Sequence, residues 1–150
     1  MSLYLWINLL SLSVPFLVSF HPRLKLYKDW GSLFLAIFIA MTPFIIWDVI
    51  FTQKGFWGFN EAYLSGVYIL NLPIEEWLFF ICIPYASIFI HFAFHYFYPK
   101  VSLTDKTVKN IYWIVMIVLL PTIFIHYDKL YTAINYSFLV LLLTYTVFKI

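Results

Sequence analysis

The stretch GSLFLAIFIAMTPFIIW, residues Gly31–Trp47, contains no Asp, Glu, Lys or Arg. Its length is enough to cross the hydrocarbon core of a bilayer, which needs about 17 to 25 residues in a helix. An apolar run of this kind forms a helix, because the edges of an open sheet cannot make their hydrogen bonds in lipid. The stretch therefore predicts a membrane-spanning helix, which we expect to continue through Asp48 to Phe51.

Four further segments show the same absence of charge: Met1–Phe20, Trp77–Tyr98, Asn110–Tyr127 and Leu130–Phe148. Of the 150 residues, 64% are hydrophobic and only 11% are charged, whereas a soluble domain carries about 25% charged residues. We therefore predict an all-α integral membrane protein with about five transmembrane helices. A three-helix unit is expected in residues 1–100, followed by two further spans in residues 101–150.

The basic residues indicate the orientation, because lysine and arginine concentrate in cytoplasmic loops. They cluster in the loop after the first span, in the loop after the third span and behind the fifth, whereas Lys54 and Lys129 fall on the opposite side. This predicts a multi-pass protein of the cell membrane with its N-terminus outside. The net charge of +2 is too small to indicate a nucleic-acid partner, and the single Cys82 lies in an apolar run and is expected to serve packing.

Carboxylates stand at the ends of two adjacent spans. Asp48 ends the second span, and Glu75 and Glu76 open the third in the stretch NLPIEEWLFF, residues Asn71–Phe80. Carboxylates at membrane depth are costly and usually functional. Because short connections favour neighbouring helices, we expect all three to approach one another at one depth and to share a proton.

A structural interpretation of the glutamates is also open. If Pro73 is the first helical residue, Glu75 is the third, where a glutamate caps a helix and complements its dipole, and Glu76 can face lipid headgroups. Against this, adjacent helical side chains point about 100° apart, so at least one of the pair must face protein or the segment that connects the second and third spans.

The connecting segment, Thr52 to Asn71, is only moderately polar and rich in aromatic residues. Gly55 and Gly58 flank Phe56 and Trp57 and predict a tight turn. Two compatible interpretations follow. The segment folds back over the helix ends as a lid, or its rings form an aromatic belt at the membrane interface.

Three stretches together resemble a known family. FIIWDVIFTQKGFWGFN (Phe44–Asn60), NLPIEEWLFF and IPYASIF (Ile83–Phe89) are similar, in order, to the integral-membrane, heterodimer-type lycopene β-cyclases of bacteria. The resemblance covers about Leu3 to Phe97. It implies an isomerase of carotenoid biosynthesis, a branch of terpenoid metabolism, that closes the ψ end groups of lipid-dissolved lycopene to β-ionone rings. Such a reaction needs an acid, a base, walls that tolerate a cation and exclusion of water, but no redox cofactor.

The resemblance also implies roles for individual residues. Glu75 or Glu76 would be the acid, and Asp48 would hold the proton network or accept the leaving proton. Ring faces would stabilise the cation by about 0.5–2 kcal/mol each, and two asparagines would orient the carboxyl groups. The expected substrate-binding residues are Trp47, Trp57, Asn60, Asn71, Trp77, Phe79 and Phe80.

Two features depart from the family pattern. Many members carry a glutamate near the far end of the third span, where this chain has Phe92. Single-chain members carry two three-helix units, whereas the fourth and fifth spans here show no second P-x-E motif. We therefore expect the protein to act as a homo-oligomer or with a second cyclase half, or to be a fragment of a longer protein, and to cyclise lycopene weakly or not at all on its own. His91 and His95 share a helix face but lack further ligands, so no metal is expected.

The alternative function is a non-enzymatic membrane subunit or half of a proton-coupled transporter, with its carboxylate cluster at the outer end.

Overall fold

The computed structural model describes residues 2–149, which form two compact units: unit 1, up to Pro99, and unit 2, from Lys100 onward. The helices are α1 (Leu3–Val18), α2 (Trp30–Gln53), α3 (Ile74–Phe97), α4 (Asp105–Ile125) and α5 (Leu130–Lys149). The last four are long and apolar enough to cross a membrane, whereas α1, with 16 residues, is shorter. The all-α, membrane-type class predicted from the sequence is confirmed.

Side-chain caps fix where two of the helices begin. The Ser2 hydroxyl accepts a hydrogen bond from the Leu5 amide (3.1 Å) at the start of α1. The Thr104 hydroxyl does the same for the Thr107 amide (3.3 Å), so α4 begins at Asp105, before the predicted Asn110. The predicted start lies after the observed one because the absence of charge marks only the apolar part of a helix, whereas a capped first turn favours polar residues.

The start of α3 differs from the sequence-based expectation. Pro73 is the residue before the helix, with extended backbone angles (φ −62°, ψ 146°), and Ile74 is the first helical residue. Glu75 is therefore the second helical residue. A capping glutamate would reach back to the backbone N–H of the cap residue, but proline has none. The capping-box interpretation of Glu75 is wrong for this reason.

The chain reverses direction directly after α2. Gly55 has φ +69°, its amide donates to the Thr52 carbonyl (3.0 Å), and the Phe56 amide donates to the Phe51 carbonyl (3.0 Å). This pair of hydrogen bonds is a Schellman motif, and the Phe51–Phe56 ring contact (4.9 Å) supplies its usual apolar contact. The tight turn predicted at Gly55 is confirmed, and a left-handed residue there explains the glycine.

The rest of the connecting segment contains a 3-10 turn, Glu61–Tyr63, and a small hairpin. Strand β1 (Tyr68–Ile69) pairs antiparallel with β2 (Leu72–Pro73). The two residues between them, Leu70 and Asn71, have φ of +50° and +64°, as a two-residue type I′ hairpin loop requires.

Unit 1 is built around α3, which packs against both α1 and α2. The buried core is apolar and includes Ile37, Met41 and Leu72. The Tyr85 hydroxyl, fully buried, accepts from Trp30 Nε1 (3.0 Å) and pairs with the Ser19 hydroxyl (2.6 Å). This polar cluster joins α1, α2 and α3, and its groups are mutually satisfied.

Unit 2 consists of α4 and α5, joined by a short turn and packed against each other. Met116 and Val147 are its buried residues, and the Thr144 hydroxyl donates to the Met116 sulfur (3.4 Å).

Candidate active site

Glu75 faces the interior of unit 1 and holds the connecting segment. Its carboxylate oxygen Oε1 accepts a hydrogen bond from the Ser65 amide (2.7 Å), and the residue is only 2% exposed. Ser2 lies beside the same carboxylate, but its hydroxyl proton goes to the Tyr63 carbonyl (2.7 Å). The second oxygen, Oε2, is buried without a hydrogen-bond partner among the described residues. The carboxylate therefore fastens the segment to the start of α3.

Asn8 clamps α1 to α3 at the same level. Its side-chain nitrogen Nδ2 donates to the backbone carbonyl of Glu75 (2.8 Å), and the residue is buried. Its oxygen Oδ1 has no partner among the described residues. An amide inside an apolar helix often bonds across to a neighbouring helix, and this one fixes the height of Glu75 relative to α1.

Glu76 points to the other side of α3, toward α2. It interacts electrostatically with Asp48 and with Glu75, and both Glu76 and Asp48 are half-buried. The structure thus brings Asp48 and Glu76 within electrostatic range, as the sequence predicts. The two adjacent glutamates have different surroundings because neighbouring side chains diverge by about 100° around a helix.

An apolar groove with a volume of about 390 Å³ begins one helical turn from this carboxylate pair. Phe44 precedes Asp48 by four residues on α2, and Phe80 follows Glu76 by four residues on α3, so each ring shares a helix face with its carboxylate. The two rings stack at 6.2 Å. The groove is lined by Ala36, Ile37, Ala40, Met41, Phe44, Phe79, Phe80, Ile83, Pro84 and Ile88.

The groove is open on one side. Ala36 and Ala40 are exposed, and Phe44, Phe79 and Ile88 are 44%, 43% and 39% exposed. The small alanines, four residues apart on α2, leave room beside the floor formed by Ile37 and Met41. An elongated apolar molecule can therefore enter from the side and place one end next to Asp48 and Glu76.

A family model described as lycopene cyclase matches residues 1–94. The chain belongs to the lycopene cyclase family. No curated protein and no solved structure matches the chain. The matched residues fall within unit 1 and include the carboxylates, the groove and the connecting segment.

Five of the seven residues predicted to bind substrate in this cyclase family member lie outside the groove. At the end of α2, Trp47 stacks on Phe51 with ring centroids 4.4 Å apart, and the Trp57 ring lies tilted against Phe51 at 4.9 Å. The side-chain oxygen of Asn60 accepts from the Ala62 amide (3.1 Å) as the cap of the 3-10 turn. Asn71 is exposed in the hairpin loop and has a φ of +64°, a conformation in which asparagine is found more often than most other residues.

Trp77, the fifth of these residues, is hydrogen-bonded to the connecting segment: its indole nitrogen Nε1 donates to the Ile69 carbonyl (3.2 Å). Phe79 and Phe80 are the predicted substrate-binding residues that line the groove. Within residues 2–149, neither Asn60 nor Asn71 forms a hydrogen bond to a carboxylate. Their expected role in orienting the carboxyl groups therefore has no support from hydrogen bonding, because each is used in a local turn.

Sequence reasoning missed Asn8, Ser2 and Ser65. Asn8 carried a signal, since it is the one side-chain amide in the first apolar segment and intramembrane amides tend to bond to a neighbouring helix. Ser65 carried none, because its contribution is a backbone N–H. Across the part of the chain that is described, no group of three or more His, Cys, Asp and Glu is placed to hold a metal ion.

Proposed function

We propose that this family member is a membrane lycopene β-cyclase, or one half of such an enzyme. It closes the ψ end groups of lycopene to β-ionone rings by an acid-initiated, non-redox isomerisation in carotenoid biosynthesis. The observation that supports the proposal is an apolar groove that begins one helical turn from Asp48 and Glu76. A hydrocarbon held in that groove has its end group beside two carboxyl groups and little else that is polar.

The first step needs a proton donor. Two carboxylates in an apolar setting repel each other, and a single proton held between them removes the repulsion. The protonated member of the Asp48–Glu76 pair donates this proton to the terminal double bond of the substrate. The tertiary cation that results is attacked by the next internal alkene, which forms the ring and moves the positive charge into it.

The last step returns a proton to the protein. The ionised member of the pair accepts a proton from the ring carbon next to the cation, and the electrons of the broken C–H bond form the ring double bond. One proton is donated and one is accepted in each cycle, so the reaction is balanced without an oxidant or a reductant. Since the acid and the base are neighbours, the proton can pass between them and reset the site.

The walls of the groove suit a carbocation. Phe79 and Phe80 are in edge-to-face contact (5.7 Å), and Phe44 stacks on Phe80. A cation near a ring face is stabilised by about 0.5–2 kcal/mol, and no lining residue carries a hydroxyl, thiol, amine or carboxylate group. Glu75 is assigned the supporting role, because it is bonded to Ser65 on the α1 side of α3.

The open side of the groove must be covered during the reaction, because water would capture the cation. We propose that a second copy of the chain or a second cyclase half supplies this cover, with membrane lipid filling the rest. The proposed setting is the cell membrane, with the N-terminus outside and the lysine-rich loops in the cytoplasm, and the substrate enters laterally from lipid.

The test is expression in bacteria that accumulate lycopene, alone and together with a second cyclase half, followed by pigment analysis. Cyclic carotenoids are expected, and the Asp48→Asn/Glu76→Gln double variant should leave lycopene unchanged at equal protein level. Asp128→Asn, an exposed carboxylate in the turn before α5, is the matched control and should keep full activity. If no cyclic product forms in either setting, the chain is not a lycopene cyclase, and the alternative of a transporter half or assembly subunit becomes the working hypothesis.

A further inference from the structure

The groove between α2 and α3 has a definite end on the side away from Asp48 and Glu76. The last residues that line it, going away from the carboxylates, are Ala36 on α2 and Ile88 on α3. Directly beyond them, Leu33 and Phe89 are buried in the core of unit 1. The groove lining therefore ends on both helices where these buried core side chains begin.

The length of the groove follows from the helix rise. From Ala36 to Phe44, and from Phe79 to Ile88, the lining residues cover about 12–14 Å at about 1.5 Å per residue. A polyene as long as the hydrocarbon core of a bilayer is thick measures about 30 Å. The groove therefore holds less than half of such a molecule.

We propose that this site recognises one end of an isoprenoid polyene and takes no account of the other end. The inference rests on the proposed function, because the carboxylates at one end of the groove fix which part of the substrate must lie there. The remainder of the polyene leaves the groove sideways, through its open side near Ala36 and Ile88. Any polyene with one intact ψ end group is then a substrate, whatever its far end carries.

Ala36 and Ala40 are the specificity-determining residues on this account. Both are exposed and small, and they give the groove its width beside Ile37 and Met41. A large side chain at either position occupies the volume that the polyene needs. It does not disturb the core, because neither alanine is buried in it.

The first arm of the test compares substrates in membranes that contain the full chain, with its partner half if that is needed for activity. One is lycopene, and the other is a lycopene fragment cleaved near its midpoint that keeps one ψ end group. Interactions with remote parts of a substrate show up as lost rate on truncation. We expect kcat/KM for the fragment to lie within about threefold of the value per end group for lycopene.

The second arm blocks the groove. Ala40→Phe should lower the rate by at least about tenfold for both substrates. Ile39→Phe adds a ring at the adjacent position, which is 67% exposed and outside the groove, and should leave the rate unchanged. Equal protein levels and unfolding temperatures for the two variants separate a blocked groove from a misfolded protein.

Each outcome decides between the two proposals. Cyclisation of lycopene with loss of more than about tenfold for the fragment would mean that another part of the assembly reads the far half, and it would overturn this inference alone. Full activity of Ala40→Phe would show that the polyene lies elsewhere and would also overturn it. No cyclic product from either substrate would reject the proposed function and this inference with it.

Discussion

Replacing Glu75 and Glu76 one at a time by glutamine should produce opposite results. In Glu75→Gln the amide oxygen can still accept the Ser65 hydrogen bond, which the carboxylate makes at 2.7 Å. A hydrogen bond to a charged group contributes about 1.5–3 kcal/mol to stability, and a neutral one about 1 kcal/mol. We therefore expect the free energy of unfolding to fall by about 0.5–2 kcal/mol, while the cyclisation rate stays within about tenfold of wild type.

Glu76→Gln acts on the groove side of α3. This residue is half-buried and interacts electrostatically with Asp48, so a neutral side chain removes a repulsion between like charges. Stability should be unchanged or slightly higher. A positioned general acid contributes about 10²- to 10⁴-fold to a rate, so the cyclisation rate should fall by at least about 10²-fold.

The assay measures cyclic carotenoid formed per mole of folded protein in membranes, together with the unfolding temperature in detergent. The two variants should show opposite effects: Glu75→Gln should lose stability, and Glu76→Gln should lose activity. If Glu75→Gln is inactive at wild-type stability while Glu76→Gln remains active, the assignment of roles to the two sides of α3 is wrong.

Substitutions at two further residues test the contacts that hold the helices of unit 1 together. Tyr85→Phe leaves Trp30 Nε1 without its acceptor, at 3.0 Å in the wild type. The free energy of unfolding should fall by about 1–3 kcal/mol, measured as a lower unfolding temperature. Tyr96→Phe, at a side chain that is 44% exposed, is the control and should leave the unfolding temperature almost unchanged. Asn8→Leu loses one hydrogen bond but also removes a buried oxygen without a partner, so stability should change by less than about 1 kcal/mol. Asn8→Asp places a carboxylate against the Glu75 carbonyl and should abolish folding; equal unfolding temperatures for the two Asn8 variants would refute the clamp.

The spans and one side of the site could be predicted from the sequence. Charge-free runs mark membrane helices regardless of how the helices pack, and Asp48 and Glu76 come together because helices that follow each other in the chain usually pack as neighbours. The turn at Gly55 was also predictable, because a glycine next to an apolar helix end is a local signal.

The division of labour between Glu75 and Glu76 could not be predicted. It depends on where α1 packs against α3. The only sequence signals for that packing are Asn8 and Ser2, which are distant in sequence from the glutamates. The hairpin was hidden for a different reason. Its loop uses Leu70 and Asn71 at positive φ, and an apolar leucine in such a loop gives none of the usual glycine signal.

The length of α1 has a consequence for the choice of membrane. Its 16 residues rise about 24 Å at about 1.5 Å per residue, against a hydrocarbon core of about 30 Å. If α1 crosses the bilayer, as the sequence predicts, the surrounding lipid must become thinner there, at a cost of a fraction of a kcal/mol per Å. Ser2, at the N-terminal end of α1, donates to the Tyr63 carbonyl in the connecting segment, so strain from thick lipid would pull on the segment that Glu75 holds. Acyl-chain length would then act as a regulator of the enzyme, with short-chain lipids favouring the assembled site.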